Sequence, residues 1–90
     1  MDKFNKQPAE VVDVDFDFTE WLAARDGVTP SAHSVTADAG ITVVSDTRTD
    51  GVVKVVLGGG AHGEQYKVTV LLTAGVLVRE AECLMRVKEL

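Results

Sequence analysis

Three groups of residues in this 90-residue chain have types and spacings that could do chemistry. The run Gly58-Gly59-Gly60-Ala61-His62-Gly63 satisfies G-x-G-x-x-G, the pattern that cradles pyrophosphate where a strand feeds a helix N-terminus. Residues 64–73 alternate like a strand, so no helix dipole would meet the phosphate, and the glycines are expected to form a flexible hairpin loop instead. Asp13, Asp15 and Asp17 have the D-x-D-x-D spacing of a calcium loop. Such a loop needs glycine at its sixth position and glutamate at its twelfth, where this chain has Phe18 and Ala24. On an extended strand the three carboxylates stand about 7 Å apart along one face, too far to share one ion. They are expected to form a solvated or interface-facing strand surface.

His33, His62 and Cys83 invite a metal or nucleophile reading. Cys83 alternates with Ala81 and Met85, which predicts a buried small hydrophobe. His33 is expected half-buried and His62 on a loop, while Ser31 and Ser34 lack the sharp strand-to-helix turn of a nucleophile elbow. No catalytic, cofactor-binding or metal-binding residue is expected, and no cofactor.

The elements that would position these residues are short and mostly extended. Residues 1–10 are polar, contain Pro8 and show no period, which predicts a mobile N-terminal arm; residues 11–90 are then one domain. Val12, Val14, Phe16 and Phe18 alternate with the three aspartates, predicting a first strand. Residues 19–25 allow one helical turn capped by Thr19 and stopped near Asp26-Gly27, with Trp21 and Leu22 closing one end of the core. Residues 31–37 predict a strand with His33, Val35 and Ala37 on one face. Residues 41–44 begin another, and residues 45–50 read as a polar loop. Val53, Val55 and Leu57 share a face of the next strand; Tyr66, Val68, Val70 and Leu72 share a face of the one after. A last strand over 76–87 would turn Ala81, Cys83, Met85 and Val87 inward, with a bulge or an edge exit near Val78-Arg79, since Arg79 has the inward parity. Six or seven short strands, with turn signals about every 8–12 residues, predict an all-β, immunoglobulin-like antiparallel sandwich.

Bulk properties narrow the function. A hydrophobic share of 46 % suffices for one two-layer core without a deep pocket between lobes. The net charge of −5 argues against nucleic acid or an anionic membrane as main partner, because both require a positive patch. The single cysteine leaves no internal disulfide, and no stretch has the length of a secretion signal or membrane span, so synthesis in the cytoplasm is the expectation.

Four segments, in this order, resemble the fiber-tail adaptor or neck and tail accessory proteins of tailed bacteriophages and prophages. Phe16-Asp17-Phe18-Thr19-Glu20-Trp21-Leu22 is similar to the family's opening strand and turn, which ends D-W-L. Residues 34–43 are similar to its T-W-T-V-P-A-G-L-T-V segment, with Val35 in place of tryptophan and Asp38 in place of proline. Residues 55–70 resemble its strand-loop-strand, and residues 73–80 its closing hairpin. His33 and His62 have no counterpart in the pattern.

The resemblance covers residues 10–88 and implies an immunoglobulin-like fold. It also implies a non-enzymatic structural adaptor in a phage or prophage virion, made in the bacterial host cytoplasm, at the tail-fiber or head-tail neck connection. Its partners would be other virion structural proteins, and a homo-oligomeric ring would need two unlike patches per subunit. The expected contact surface is an exposed strand edge with the loops at 46–50 and 58–63, specifically Asp46, Arg48, Asp50, Gly58, Gly60, His62 and Gly63. The alternative is a stand-alone recognition module for a glycan or a cell-surface partner. That reading needs exposed aromatic rings, whereas most of Phe4, Phe16, Phe18, Trp21 and Tyr66 are expected in the core.

Overall fold

Alternating side chains give each strand one apolar face, and two such faces must meet to leave water. In the computed structural model, which describes residues 2–89, they meet between two sheets. The elements are β1 (Asp2–Lys6), β2 (Val12–Asp17), α1 (Thr19–Ala23), β3 (Ala32–Ala37), β4 (Ile41–Thr49), β5 (Val52–Gly59), β6 (Gln65–Ala74) and β7 (Leu77–Val87). A four-stranded sheet in the order β1-β7-β6-β3 faces a three-stranded sheet in the order β2-β5-β4. That arrangement is the B-E-D sheet and the C-F-G sheet of an immunoglobulin sandwich, with the first strand laid on the edge of the last.

The interior is one apolar layer. Val53, Val55 and Leu57 of β5 face Val68, Val70 and Leu72 of β6 and Met85 and Val87 of β7, all fully buried, and Cys83 is among them. Each such side chain contributes about 1.5–3 kcal/mol by leaving water. Phe16, Phe18 and Leu22 close the layer at the helical end. The β6–β7 hairpin uses the two-residue loop Gly75-Val76, with Gly75 at φ 63 in the position where a positive φ is required.

Tyr66 stands at the start of β6, and its hydroxyl accepts a hydrogen bond from the Ala61 N–H at 2.9 Å. A tyrosine whose hydroxyl ties back to the preceding corner is a recurrent device of immunoglobulin-like sandwiches.

Several expectations need correction. Residues 2–6 are a strand, parallel to β7, rather than part of an unstructured arm, so the sandwich is antiparallel everywhere except at this pair. The strand escaped the period-2 reading because one of its inward residues is a lysine. Lys6 is buried, and its ammonium donates to the carbonyl oxygens of Gly59 (2.7 Å), Gln7 (2.8 Å) and Pro8 (3.2 Å). Met1 and Leu90, the outermost positions of the expected arm and domain, lie outside the described residues.

The expected polar loop at 45–50 is mostly the second half of β4. A register shift between Val43 and Ser45 changes the parity of that strand, so Asp46 and Arg48 take over the rows that Ile41 and Val43 began. No shift interrupts the β6–β7 register, so no bulge lies at Val78-Arg79; among the described residues β1 pairs with β7 from Cys83 to Val87, which leaves residues 77–81 on the sheet edge. The cap of α1 is not the Thr19 side chain. The Asp17 carboxylate accepts hydrogen bonds from the Thr19 hydroxyl (2.7 Å) and N–H (2.9 Å), and these hold its pKa below the ordinary value of 3.8.

The glycine run is not a flexible hairpin either. Gly58 and Gly59 end β5, and residues 60–64 carry the chain across to the other sheet. The crossing is pinned by Gly60 N–H to Gly40 O (3.0 Å), Gly63 N–H to Val87 O (2.8 Å) and Val87 N–H to Glu64 O (3.0 Å). Gly60 has φ +94, and a Cβ there would lie 2.6 Å from Val87 Cγ2 and 3.1 Å from Ile41 Cδ1.

Two outcomes follow from this packing. Gly60→Ala should lower unfolding free energy by about 2 kcal/mol or more in urea titration, whereas Gly58→Ala, at an ordinary φ with room for a methyl group, should stay within about 0.5 kcal/mol of the parent. Because the folded Asp17 carboxyl has the lower pKa, its contribution is complete above the unfolded pKa and disappears as pH falls through the folded value. Asp17→Asn should therefore flatten the stability curve below about pH 4 without changing its slope near neutrality.

Candidate functional site

Five of the seven residues expected to make contacts lie at opposite ends of a body 44 Å long. At one end, Asp50 occupies the two-residue turn between β4 and β5 with φ 54, and the Phe18 N–H donates to Gly51 O at 2.8 Å, fixing the helix beside it. Leu22, Val28, Pro30, Arg48 and Asp50 line an open cavity of about 500 Å³ there. At the other end lie Gly58, Gly60, His62 and Gly63. The His62 side chain protrudes, and its Nδ1 accepts a hydrogen bond from the Glu89 N–H at 2.9 Å.

Gly58 and Gly60 are parts of the framework at that end, while His62 and Gly63 are exposed. Asp46 and Arg48 lie along the side of the sandwich, where Arg48 also reaches the Asp50 cavity. The altered parity of β4 turns both toward β3 across the open margin of the sandwich, where His33 Nε2 meets Asp46 Oδ1 at 2.6 Å and Arg48 Nη1 lies 3.3 Å from His33 Nδ1. These three side chains lace one sheet to the other where no strand joins them. Nothing in the local sequence signals the cluster, since it depends on a bulge that no glycine or proline marks.

The remaining chemistry-bearing residues are dispersed. Asp13, Asp15 and Asp17 project from the outer face of β2, where Lys54, opposite Asp15 in the ladder, lies 3.8 Å from the Asp13 carboxylate. Cys83 is 3 % exposed and pairs across the ladder with Val68, whereas His33 pairs with Leu72 four positions along β6. Among the described residues no group of three or more His, Cys, Asp or Glu side chains is placed to hold a metal ion. What the molecule offers outward is therefore two unlike ends, strand edges and an acidic sheet face.

The lacing cluster makes a measurable prediction. A double-mutant cycle on His33→Ala and Asp46→Ala should give a coupling of about 0.5–1 kcal/mol in chemical denaturation, modest because Asp46 is partly solvated. Coupling indistinguishable from zero would show that the two sheets need no tie at this margin.

Comparison with known families yields one match of long extent. The family described as podophage GP4 fiber-tail adaptor protein gp77 matches residues 6–85, from the end of β1 to near the end of β7. No curated protein matches the chain, and no solved structure does. The match spans both sheets, the helix and both ends, so the chain belongs to the Gp77 family of podophage fiber-tail adaptor proteins.

Proposed function

We propose that this chain joins a tail component to a fiber component of a podophage particle by protein–protein contact, without catalysing a reaction. The observation that carries this reading is the extent of the family match, 80 residues wide over a sandwich whose interior is filled by its own side chains. An adaptor must hold two different neighbours at once, and this fold supplies two chemically different ends. One is the cavity and turn around Asp50; the other is the crossover carrying His62 and Gly63.

In this proposal the two ends contact the two virion components, and the sides of the sandwich are left for lateral neighbours. Repetition around the tail axis as a homo-oligomeric ring is part of the same proposal, because unlike patches on one subunit can close a cycle. The net charge of −5 supports protein partners over nucleic acid or membrane. The chain would be synthesised in the bacterial host and reside in the virion.

The test is incorporation. Purified particles should contain the chain. Asp50→Asn and His62→Glu, at opposite ends, should each lower the fraction of fiber-bearing particles several-fold while leaving the thermal midpoint within a few degrees of the parent. Recovery of the chain only from the soluble lysate, never from purified particles, would refute the adaptor role. Normal fiber attachment by both variants would move the contacts away from the ends.

A further inference from the structure

The edge of the four-stranded sheet is only half covered. β1 lies along β7 from Cys83 to Val87 and begins, at Asp2, opposite Cys83. Among the described residues no strand pairs with residues 77–81 on that side, although β6 pairs with all of them on the other. Across the sandwich, β2 is likewise an edge, paired among the described residues with β5 alone. Between the two edges runs a slot of about 390 Å³, lined by Val14, Phe16 and Ala81, with Lys3 at its β1 end. It continues past Asp17 and Ala81 to a shallower stretch lined by Phe18, Trp21 and Arg79.

The geometry points to this slot as the docking site for an extended segment of a partner polypeptide. The segment would add as a strand on β7, in line with β1, and would alternate apolar and basic side chains. An edge with exposed N–H and C=O groups is a template for one more strand, and β1 shows that this edge already accepts a partner. Residues 77–81 offer room for about five residues of an added strand, roughly 17 Å. The apolar floor receives alternate side chains, and the rim sets their sign. Six carboxylates border the slot, those of Asp13, Asp15, Asp17, Glu20, Glu80 and Glu82, against Lys3 and Arg79 in the lining. Two lysines lie beside it, Lys54 at 3.8 Å from Asp13 and Lys67 at 3.3 Å from Glu82, so the rim stays acidic.

The same charge decides against a second copy of this chain. Two such edges would bring acidic rims together, with no basic run of this sequence to offset them. The inference rests on the adaptor reading only in taking the occupant to be a protein. The isolated chain suffices to test it, so its failure would leave the incorporation result untouched, and failed incorporation would leave the slot intact.

The probe is a synthetic peptide of about eight residues alternating valine and lysine, added to the full chain while amide hydrogen exchange is followed. Exchange at residues 77–81 should slow by at least about tenfold. A valine–glutamate peptide, and the lysine peptide with alternate backbone amides methylated, should leave it unchanged. Asp15→Lys combined with Glu80→Lys should weaken peptide binding by at least about tenfold at an unaltered thermal midpoint. If that variant does not fold, the methylated peptide still decides the matter on the unsubstituted chain. Protection at Ala32–Ala37 or Ile41–Thr49 instead, equal protection by the acidic peptide, protection of residues 77–81 in the concentrated chain alone, or no protection would each overturn the inference.

Discussion

Everything in this molecule is subordinate to a single apolar layer pressed between two sheets. The layer is one side chain deep from each side, and Val53, Val55, Leu57, Val68, Val70, Leu72 and Met85 fill it with no exposure. A domain of this size buries a smaller fraction of its surface than a larger one, so it has no apolar area to spare for an internal pocket. The contacts proposed for it are accordingly on edges, ends and faces. Among the described residues no group of three or more His, Cys, Asp or Glu is placed to hold a metal ion, and the family to which the chain belongs is that of a fiber-tail adaptor.

The layer must also be closed at its ends by backbone that changes sheet. The chain passes between the sheets from β1 to β2, β3 to β4 and β5 to β6 at the Gly60 end, and from β2 through α1 to β3 at the other. At the Gly60 end the crossing is held by Tyr66, by hydrogen bonds to Gly40 and Val87, and by the buried Lys6 ammonium, which joins the first strand to Gly59. An ammonium taken out of water is tolerated only with its donors satisfied, and three carbonyl oxygens meet that need. At the margin between β3 and β4 the tie is polar as well, through His33, Asp46 and Arg48. These polar contacts stiffen the corners, so the outward surfaces are presented in a fixed geometry.

The regular part of this design was legible from alternation. The faces of β3, β5, β6 and β7, the short helix and six of the seven strands are legible in period-2 patterns and glycine punctuation, as is the burial of Cys83. What escaped within the strands had one physical source, the use of polar side chains on inward rows. Lys6 on β1 and Asp46 and Arg48 on β4 sit where a period reading expects apolar residues, so one strand was read as an arm and half of another as a loop. The sheet change after β5 was equally hidden, because a glycine run looks the same whether it reverses a hairpin or carries the chain across a core. Of the contact residues expected from sequence, Asp50, His62 and Gly63 lie outward at the ends. Gly58 and Gly60 are framework, and Asp46 and Arg48 are a tie between sheets.

An adaptor is defined by where it sits in the assembled particle. Electron cryomicroscopy of intact tails should place the density of this sandwich at the junction of tail and fiber, touching one component with the Asp50 end and the other with the His62 end. Tails with a complete, fiber-bearing junction and no such density there would contradict the adaptor role.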